Sequence, residues 1–179
     1  QLAAAGWTVT AVDQSAKRLS RMQENLARTD LPATLVTANL HSFEPGEHYT
    51  AVLLDAPCSA TGTFRRHPDV LHRIGAQDIT QLAQLQAALL ARAAAWVAPG
   101  GLLVFATCSL EQAEGEDVIT AFLSAHADWQ IDPVAADELP RGIVPAAAGW
   151  VRTWPLAADN AAASLDGFFI ARLRAPVSI

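Results

Sequence analysis

The chain has 179 residues, of which 51% are hydrophobic and 17% charged, and its formal net charge is −6. This balance is typical of a folded domain with its own core, and it excludes a disordered chain. The negative charge argues mildly against an autonomous nucleic-acid binder, because phosphate contacts need cations. No apolar run approaches the roughly 20 residues of a membrane helix and no secretory signal is visible, so we expect a cytoplasmic protein away from membranes.

The first third of the chain predicts two strands that both end on polar residues. The predicted elements are a strand at 7–13, a helix at 16–28, a strand at 33–38 and a loop at 40–48. Ser15 is the predicted N-cap of the helix. Asp13 ends the first strand and Asn39 follows the second. In a nucleotide-binding α/β fold an acid in the place of Asp13 can hold both ribose hydroxyls, and an amide like Asn39 can meet an adenine edge. The competing interpretations are a charge at the helix N-terminus for Asp13 and a turn residue for Asn39.

Residues 49–62 carry the strongest functional signal. The continuous apolar run at 51–54 predicts a strand buried on both faces, which delivers Asp55 at its end. Pro57 has no amide proton for a strand ladder, so the strand is expected to stop there. Cys58 then lies on the loop beyond the strand, where ligands bind in open α/β sheets.

The rest of the chain continues the alternation of helix and strand. The predicted elements are helices at 77–97 and 111–125, a Pro/Gly terminator at 98–101, a strand at 102–106, a loop at 132–148, and two late strands at 149–155 and 167–174. No helical pattern separates the late strands, so we expect them to be antiparallel. Alternation of this kind predicts an α/β fold with a mostly parallel sheet, helices on both faces and no domain boundary within 1–179.

Cys58 and Cys108 both follow predicted strand ends. A disulfide is conceivable from the count, but a chain without a secretory signal favours reduced thiols, and no zinc-site spacing is present. If the two strands are neighbours, the thiols converge at one edge of the sheet. A free thiol titrates near about 8.5, so a nucleophilic cysteine needs local activation. Asp55 would oppose thiolate formation, and we therefore expect it to act on the substrate.

The sequence resembles the NOP/Sun family of RNA (cytosine-5)-methyltransferases, and within it the RsmB-type enzymes of bacterial 16S ribosomal RNA. The resemblance covers nearly the whole chain. It is carried by Asp-Ala-Pro-Cys-Ser-Ala-Thr-Gly at 55–62, Arg-Arg-His-Pro-Asp at 65–69, Gln-Leu-Gln at 84–86, Gly-Gly at 100–101, Ala-Thr-Cys-Ser at 106–109 and Asp-Gly-Phe-Phe at 166–169. Two separate cysteine motifs in this order are far more specific than either one alone.

The resemblance implies a mechanism. Cys108 would be the nucleophile that attacks carbon 6 of cytosine, which makes carbon 5 able to accept a methyl group. Cys58 would assist loss of the ring proton and release of the enzyme. Asp55 would hydrogen-bond the exocyclic amine and ring nitrogen 3 of the base.

The resemblance also implies the ligands. The methyl donor is S-adenosylmethionine in a Rossmann-like fold; Asp13 matches the acid that holds its ribose, and Asn39 and Asp55 are expected near it. Arg65, Arg66 and His67 would face the backbone of the 16S rRNA substrate, and the enzyme is expected to be a monomer. Taken alone, the basic patch of Arg65, Arg66, His67, His72 and Arg73 is equally well a solvated helix face. No metal is implied.

Two departures from the family pattern matter. The family usually has Asp where this chain has Asn39, which keeps hydrogen bonding but loses a charge. The family's first strand and Gly-rich loop, which enclose the methionine part of the donor, are expected before Gln1. The chain is therefore interpreted as an N-terminally truncated catalytic domain that binds the donor weakly or not at all. Two alternatives stay open: a methyltransferase for DNA or another RNA, and a non-catalytic RNA-binding scaffold with the same fold.

Overall fold

The computed structural model describes residues 1–155 and 165–177. The chain divides into two compact units, Gln1–Gly46 and Glu47–Ile179, and each is described by itself. The stretch 156–164, for which no helix was predicted, lies outside the described residues.

The first unit contains a strand, a helix and a second strand. Its elements are a 3₁₀ turn at Ala3–Ala5, β1 at Thr10–Asp13, α1 at Ala16–Thr29 and β2 at Thr34–Thr37. β1 and β2 pair in parallel, with Asp13 opposite Thr37. Ser15 is the N-cap of α1, and its hydroxyl accepts a hydrogen bond from the Arg18 amide at 3.3 Å, which confirms the predicted helix start.

The second unit contains a five-stranded sheet and three α-helices among its described residues. The elements are β3 at Tyr49–Asp55, α2 at Val70–Arg73, α3 at Ala76–Ala94, β4 at Val97–Thr107, α4 at Glu116–Ala125, β5 at Gln130–Ile131, β6 at Val151–Thr153 and β7 at Phe168–Arg174. The strand order is β3-β4-β7-β5, and β6 also pairs with β7.

The strand directions confirm the predicted fold class. β3 and β4 pair in parallel, whereas β7 is antiparallel to β4, β5 and β6. β7 is therefore the one strand of this described sheet that runs against the others. The antiparallel pairing of β6 with β7 was expected, because no helical crossover was predicted between them.

The core of the second unit lies where the sheet meets α3 and α4. Leu103 and Phe105 of β4 and Phe169 of β7 are fully buried, as are Leu90 of α3 and Ile119 of α4. Burial alternates along β4 and β7, as expected for strands with one face on a core. This packing fixes the ends of β3 and β4, from which the candidate site is built.

Two expectations about strands were wrong. The run at 51–54 is not buried on both faces: Leu54 is buried, but the Leu53 side chain is 56% exposed. β3 is an edge strand of the described sheet, so it has strong packing on one face only. The Pro/Gly segment at 98–101 does not separate a helix from a strand but lies within β4. Its Gly100 has a φ of 70° and donates a backbone hydrogen bond to the Pro176 carbonyl at 2.8 Å.

Candidate active site

The loops after β3 and β4 meet at one edge of the sheet. Because the strands are parallel and Asp55 lies opposite Ala106, both chains leave the sheet on the same side. The Ala56 amide donates to the Ala106 carbonyl at 3.0 Å, and the Gly62 amide donates to the Cys108 carbonyl at 3.0 Å. These bonds hold the two cysteine loops against each other.

The two cysteine side chains are in direct contact. The Sγ atoms of Cys58 and Cys108 lie 3.4 Å apart, and both residues are partly exposed free thiols. This contact confirms the expectation that the thiols converge, and neither is sealed into apolar packing. A thiol that donates to a neighbouring sulfur stabilises that sulfur as a thiolate.

The pKa values of the pair move in opposite directions. The hydrogen bond from Cys58 lowers the pKa of Cys108 from 9.0 to about 7, although burial and the negative charge of Asp55 oppose this shift. The pKa of Cys58 is raised, first by its contact with Cys108 and then by burial. Cys108 is therefore the thiol of the pair that ionises first, and in that state Cys58 donates the hydrogen bond between the two sulfur atoms.

Asp55 ends β3 on the same edge as the cysteines. Desolvation by the surrounding protein raises the pKa of its carboxyl group. No hydrogen bond to its carboxylate is found within 1–155 and 165–177, so its oxygen atoms remain available to a ligand. Its charge opposes the Cys108 thiolate, as the sequence predicted.

A close backbone approach fixes the far end of the Cys58 loop. The Gly167 amide donates to the Gly62 carbonyl at 2.8 Å. A Cβ atom on Gly62 would lie 2.1 Å from the Gly167 carbonyl oxygen, which is far too close for any real contact. Only glycine at position 62 allows these two segments to touch.

Sequence reasoning missed a buried polar cluster beneath the two loops. Ser59, Gln86, Ser109 and Glu114 are each 2% exposed or less, and the Glu114 carboxylate is the acceptor at the centre. Two signals in the sequence pointed to it: a serine directly after each cysteine, and Gln86 as a polar residue on the apolar face of a helix.

Arg152 of β6 supports the Cys108 loop from another side. Its Nη1 donates to the Ser109 carbonyl at 2.9 Å, and its Nε donates to Glu116 at 2.8 Å. The guanidinium carbon lies 5.1 Å from the centre of the Phe169 ring. No pattern in the sequence distinguishes Arg152 from the other arginines.

The predicted basic residues lie on the surface after the Cys58 loop. Arg65, Arg66 and His67 are all exposed. Arg66 forms an ion pair with Asp166, in which its Nε donates at 3.1 Å. Arg73 pairs with Asp69 at 2.8 Å. The basic segment is thus accessible, and part of its charge is already balanced by carboxylates.

Asp13 and Asn39 belong to the first unit and make local contacts. The Asp13 carboxylate accepts from the Ser15 amide at 2.7 Å and from two nitrogen atoms of Arg18 at 2.7 Å each. The hydrogen bond from Arg18 lowers the pKa of Asp13. The Asn39 side-chain oxygen accepts from the His41 amide at 2.9 Å, as in a turn. Both local roles weighed in the sequence are therefore present, and neither excludes a ligand.

The residues that the structure describes form no group of three or more His, Cys, Asp or Glu side chains that could hold a metal ion. Nor do they include a helix with the length and apolar content needed to cross a membrane.

Comparison with known proteins identifies relatives along almost the entire chain. Residues 1–174 match the family model described as 16S rRNA methyltransferase RsmB/F. Ribosomal RNA small subunit methyltransferase B from Shewanella oneidensis is 42% identical over 166 residues, which are 91% of this chain and 36% of that protein. The chain thus spans little more than a third of the length of this curated relative.

Solved structures share the fold. NSun6 from Pyrococcus horikoshii, solved with SFG, superposes with a TM-score of 0.79 at 26% identity and covers 96% of this chain and 42% of that one. A methyltransferase homolog protein from Pyrococcus horikoshii superposes with a TM-score of 0.72 at 30% identity, over 94% of this chain and 53% of that one. These similarities confirm the expected Rossmann-like methyltransferase fold.

Proposed function

Because the chain belongs to the 16S rRNA methyltransferase RsmB/F family, we propose that this protein methylates carbon 5 of a cytosine in 16S ribosomal RNA through a covalent adduct on Cys108. Family membership confirms the resemblance to the NOP/Sun enzymes, and S-adenosylmethionine is the methyl donor of such enzymes. The observation that carries the proposal is the 3.4 Å contact between the sulfur atoms of Cys58 and Cys108.

The proposed nucleophile is Cys108. Its lowered pKa of about 7, caused mainly by the hydrogen bond from Cys58, leaves about half of it as thiolate at neutral pH. Bond formation between this sulfur and carbon 6 of cytosine moves the ring electrons toward carbon 5. Carbon 5 then bonds to the methyl group of the donor as the bond between that methyl group and the sulfonium sulfur breaks, and S-adenosylhomocysteine leaves with the electron pair. Loss of the proton from carbon 5 and cleavage of the carbon–sulfur bond release the methylated base.

Cys58 is proposed to remove that proton after the adduct has formed. The largest cause of its raised pKa is the hydrogen bond to Cys108. Once the Cys108 sulfur is bonded to carbon it no longer carries a negative charge, so the pKa of Cys58 falls and its proton can leave to water. Cys58 thereby changes from hydrogen-bond donor to base within one turnover.

Asp55 is proposed to hold the base. Its carboxylate can accept a hydrogen bond from the exocyclic amine of cytosine, and desolvation, which raises the pKa of the carboxyl group, makes it easier for the second oxygen to take up a proton that it shares with ring nitrogen 3. The same contact would stabilise the charge that develops on the ring when the thiolate attacks.

The donor-binding residues proposed are Asp13, Asn39 and Asp55. The partner of Asp13, Arg18, is largely exposed, and exposed ion pairs are weak, so ribose hydroxyls can replace it. The side-chain nitrogen of Asn39 has no hydrogen-bond partner within 1–155 and 165–177 and is a suitable donor for an adenine acceptor. S-adenosylmethionine supplies an electrophilic methyl group when bound.

The RNA-binding residues proposed are Arg65, Arg66 and His67. They are exposed and follow the Cys58 loop directly in the chain, which suits contacts to the phosphates that flank the target base.

The test uses the full-length protein, because the chain spans only 36% of its relative. The protein is incubated with S-adenosylmethionine and unmodified 16S rRNA, and 5-methylcytidine is measured by mass spectrometry. A second reaction contains RNA with 5-fluorocytidine, which carries no proton on carbon 5 and so holds the adduct on the enzyme. We expect both products in the wild type and neither in the Cys108→Ala variant.

The outcomes separate the proposal from its alternatives. Methylation of DNA or of another RNA, with 16S rRNA left unmodified, would support the same reaction on a different substrate and overturn the assignment of 16S rRNA. RNA binding without methylation or trapping would indicate a scaffold and overturn the proposal. Full activity of Cys108→Ala would overturn the assignment of the nucleophile.

A further inference from the structure

Glu114 is a fully buried carboxylate, which a ligand at the surface cannot contact. Its side chain is 0% exposed, and it accepts hydrogen bonds from the Ser59 amide at 2.9 Å, the Ser109 hydroxyl at 2.7 Å and the Gln86 side chain at 2.8 Å. The Ser59 hydroxyl also donates to it. An ionised carboxylate is costly to bury unless its acceptor sites are filled, and four donors meet that need.

The donors come from the segments that carry the two cysteines. Ser59 follows Cys58, and Ser109 follows Cys108. Gln86 also donates to the carbonyl of Pro57, the residue before Cys58, at 2.8 Å. One carboxylate therefore holds both cysteine loops from beneath, although they are separated by 50 residues along the chain.

The carboxylate also fixes the direction of the hydrogen bonds around it. An ionised carboxylate can only accept hydrogen bonds, so the Ser109 hydroxyl donates its single proton to Glu114. The Ser109 oxygen is then left as acceptor for the Glu111 amide, which donates to it at 3.0 Å. A neutral amide in place of the carboxylate would place N–H groups opposite other donors. The Ser59 amide in particular cannot become an acceptor.

The backbone of Glu114 is attached to the same region. Its carbonyl accepts from the hydroxyl of Thr107, the residue before Cys108, at 3.1 Å. Side chain and main chain of this one residue thus restrain the end of β4 and both loops.

We propose that Glu114 is a positioning residue that, through Ser59 and Ser109, holds the sulfur atoms of Cys58 and Cys108 in contact. Its effect on methylation depends on the proposed function, whereas its effect on the thiols does not.

The test is the Glu114→Gln variant of the full-length protein, with Asp117→Asn as the matched control. Both changes replace a carboxylate by an amide in the same segment, but the exposed Asp117 accepts its one side-chain hydrogen bond among the described residues from Gln112. The alkylation rate of Cys108 by iodoacetamide is measured against pH by peptide mass spectrometry. We expect the midpoint in Glu114→Gln to rise from about 7 toward about 8.5, with alkylation at pH 7 slowed roughly tenfold. Asp117→Asn should leave the profile unchanged.

A second pair of variants covers the case in which Glu114→Gln does not fold. Ser59→Ala and Ser109→Ala each remove one hydroxyl donor to the carboxylate, and the double variant removes both. The double variant should shift the midpoint in the same direction. An unchanged midpoint in folded Glu114→Gln, or in the double variant, overturns the positioning role.

The result is independent of the proposed reaction. A shifted midpoint in a protein that does not methylate RNA would support the role of Glu114 and refute the proposed function. An active wild type whose thiol profile is the same in Glu114→Gln would do the reverse.

Discussion

Cys58 and Cys108 are chemically identical side chains whose pKa values diverge because one donates to the other. Desolvation raises the pKa of both thiols, and the Asp55 charge further disfavours the Cys108 thiolate. The hydrogen bond from Cys58 outweighs these effects at Cys108 and brings its pKa to about 7. The hydrogen bond from the first cysteine is therefore the largest single influence on the pKa of the second.

This asymmetry predicts how Cys108 responds to changes at position 58. In Cys58→Ala the donor is gone, so the thiolate of Cys108 is less stable and its pKa rises from about 7 toward about 8.5. The pH at which Cys108 alkylation is half-maximal should rise by the same amount. Peptide mass spectrometry after iodoacetamide treatment measures it.

Cys58→Ser is the matched control for the loss of the donor. Serine keeps a hydroxyl that can donate to the Cys108 sulfur, so its midpoint should lie below that of Cys58→Ala. Equal midpoints in Cys58→Ala and the wild type would show that the contact between the sulfur atoms does not activate Cys108.

At the scale of elements, the Cys58 loop is confined between two backbone segments. The Gly62 amide binds the Cys108 carbonyl, and the Gly62 carbonyl accepts from the Gly167 amide. This arrangement joins the loop after β3 to the loop after β4 and to the start of β7. A side chain at position 62 would push against backbone on both sides.

Gly62→Ala is therefore expected to destabilise the protein by about 3 kcal/mol, because the added Cβ overlaps the Gly167 carbonyl and backbone cannot give way as a flexible side chain would. Gly46→Ala is the control, since a Cβ there meets no atom within 4 Å, and its effect should stay below about 0.5 kcal/mol. Denaturant unfolding followed by tryptophan fluorescence measures both. Coinciding unfolding curves for the two variants would contradict the overlap.

The strand ends around the candidate site could be predicted from the sequence. Strand ends at Asp13 and Asp55 and the strand before Cys108 were predictable, because short apolar runs end at polar or proline residues there. The parallel pairing that brings the cysteines together follows from the helix between the two strands. These two inferences were enough to predict that the two cysteines converge at one edge of the sheet.

Other features depend on contacts that no local pattern encodes. Glu114 reads as an ordinary polar residue before a helix, and its role arises from serines and a glutamine on three distant segments. Gly100 was interpreted as part of the boundary between a helix and a strand, whereas it lies inside β4, where its amide donates a hydrogen bond to the Pro176 carbonyl. Leu53 looked like a core residue, because an apolar side chain on an edge strand has the same sequence signature as a buried one.

At the scale of the whole molecule, the net charge of −6 on this chain means that the proposed RNA partner would be held here by local rather than overall charge. Arg65 and Arg66 are exposed directly after the Cys58 loop, and Arg66 forms an ion pair with Asp166. Each phosphate that such a residue contacts releases counterions and makes binding weaker at higher salt.

The double variant Arg65→Gln, Arg66→Gln should therefore bind 16S rRNA with a shallower salt dependence. For single-stranded RNA each lost phosphate contact reduces the slope of log K against log salt by about 0.7, so the two together reduce it by up to about 1.4. Filter binding of the full-length protein across a series of salt concentrations measures the slope. The control, Arg21→Gln with Arg28→Gln, removes the same charge from exposed positions on α1. If the slope of log K against log salt falls equally in the two double variants, the change is caused by net charge, and Arg65 and Arg66 do not contact the RNA.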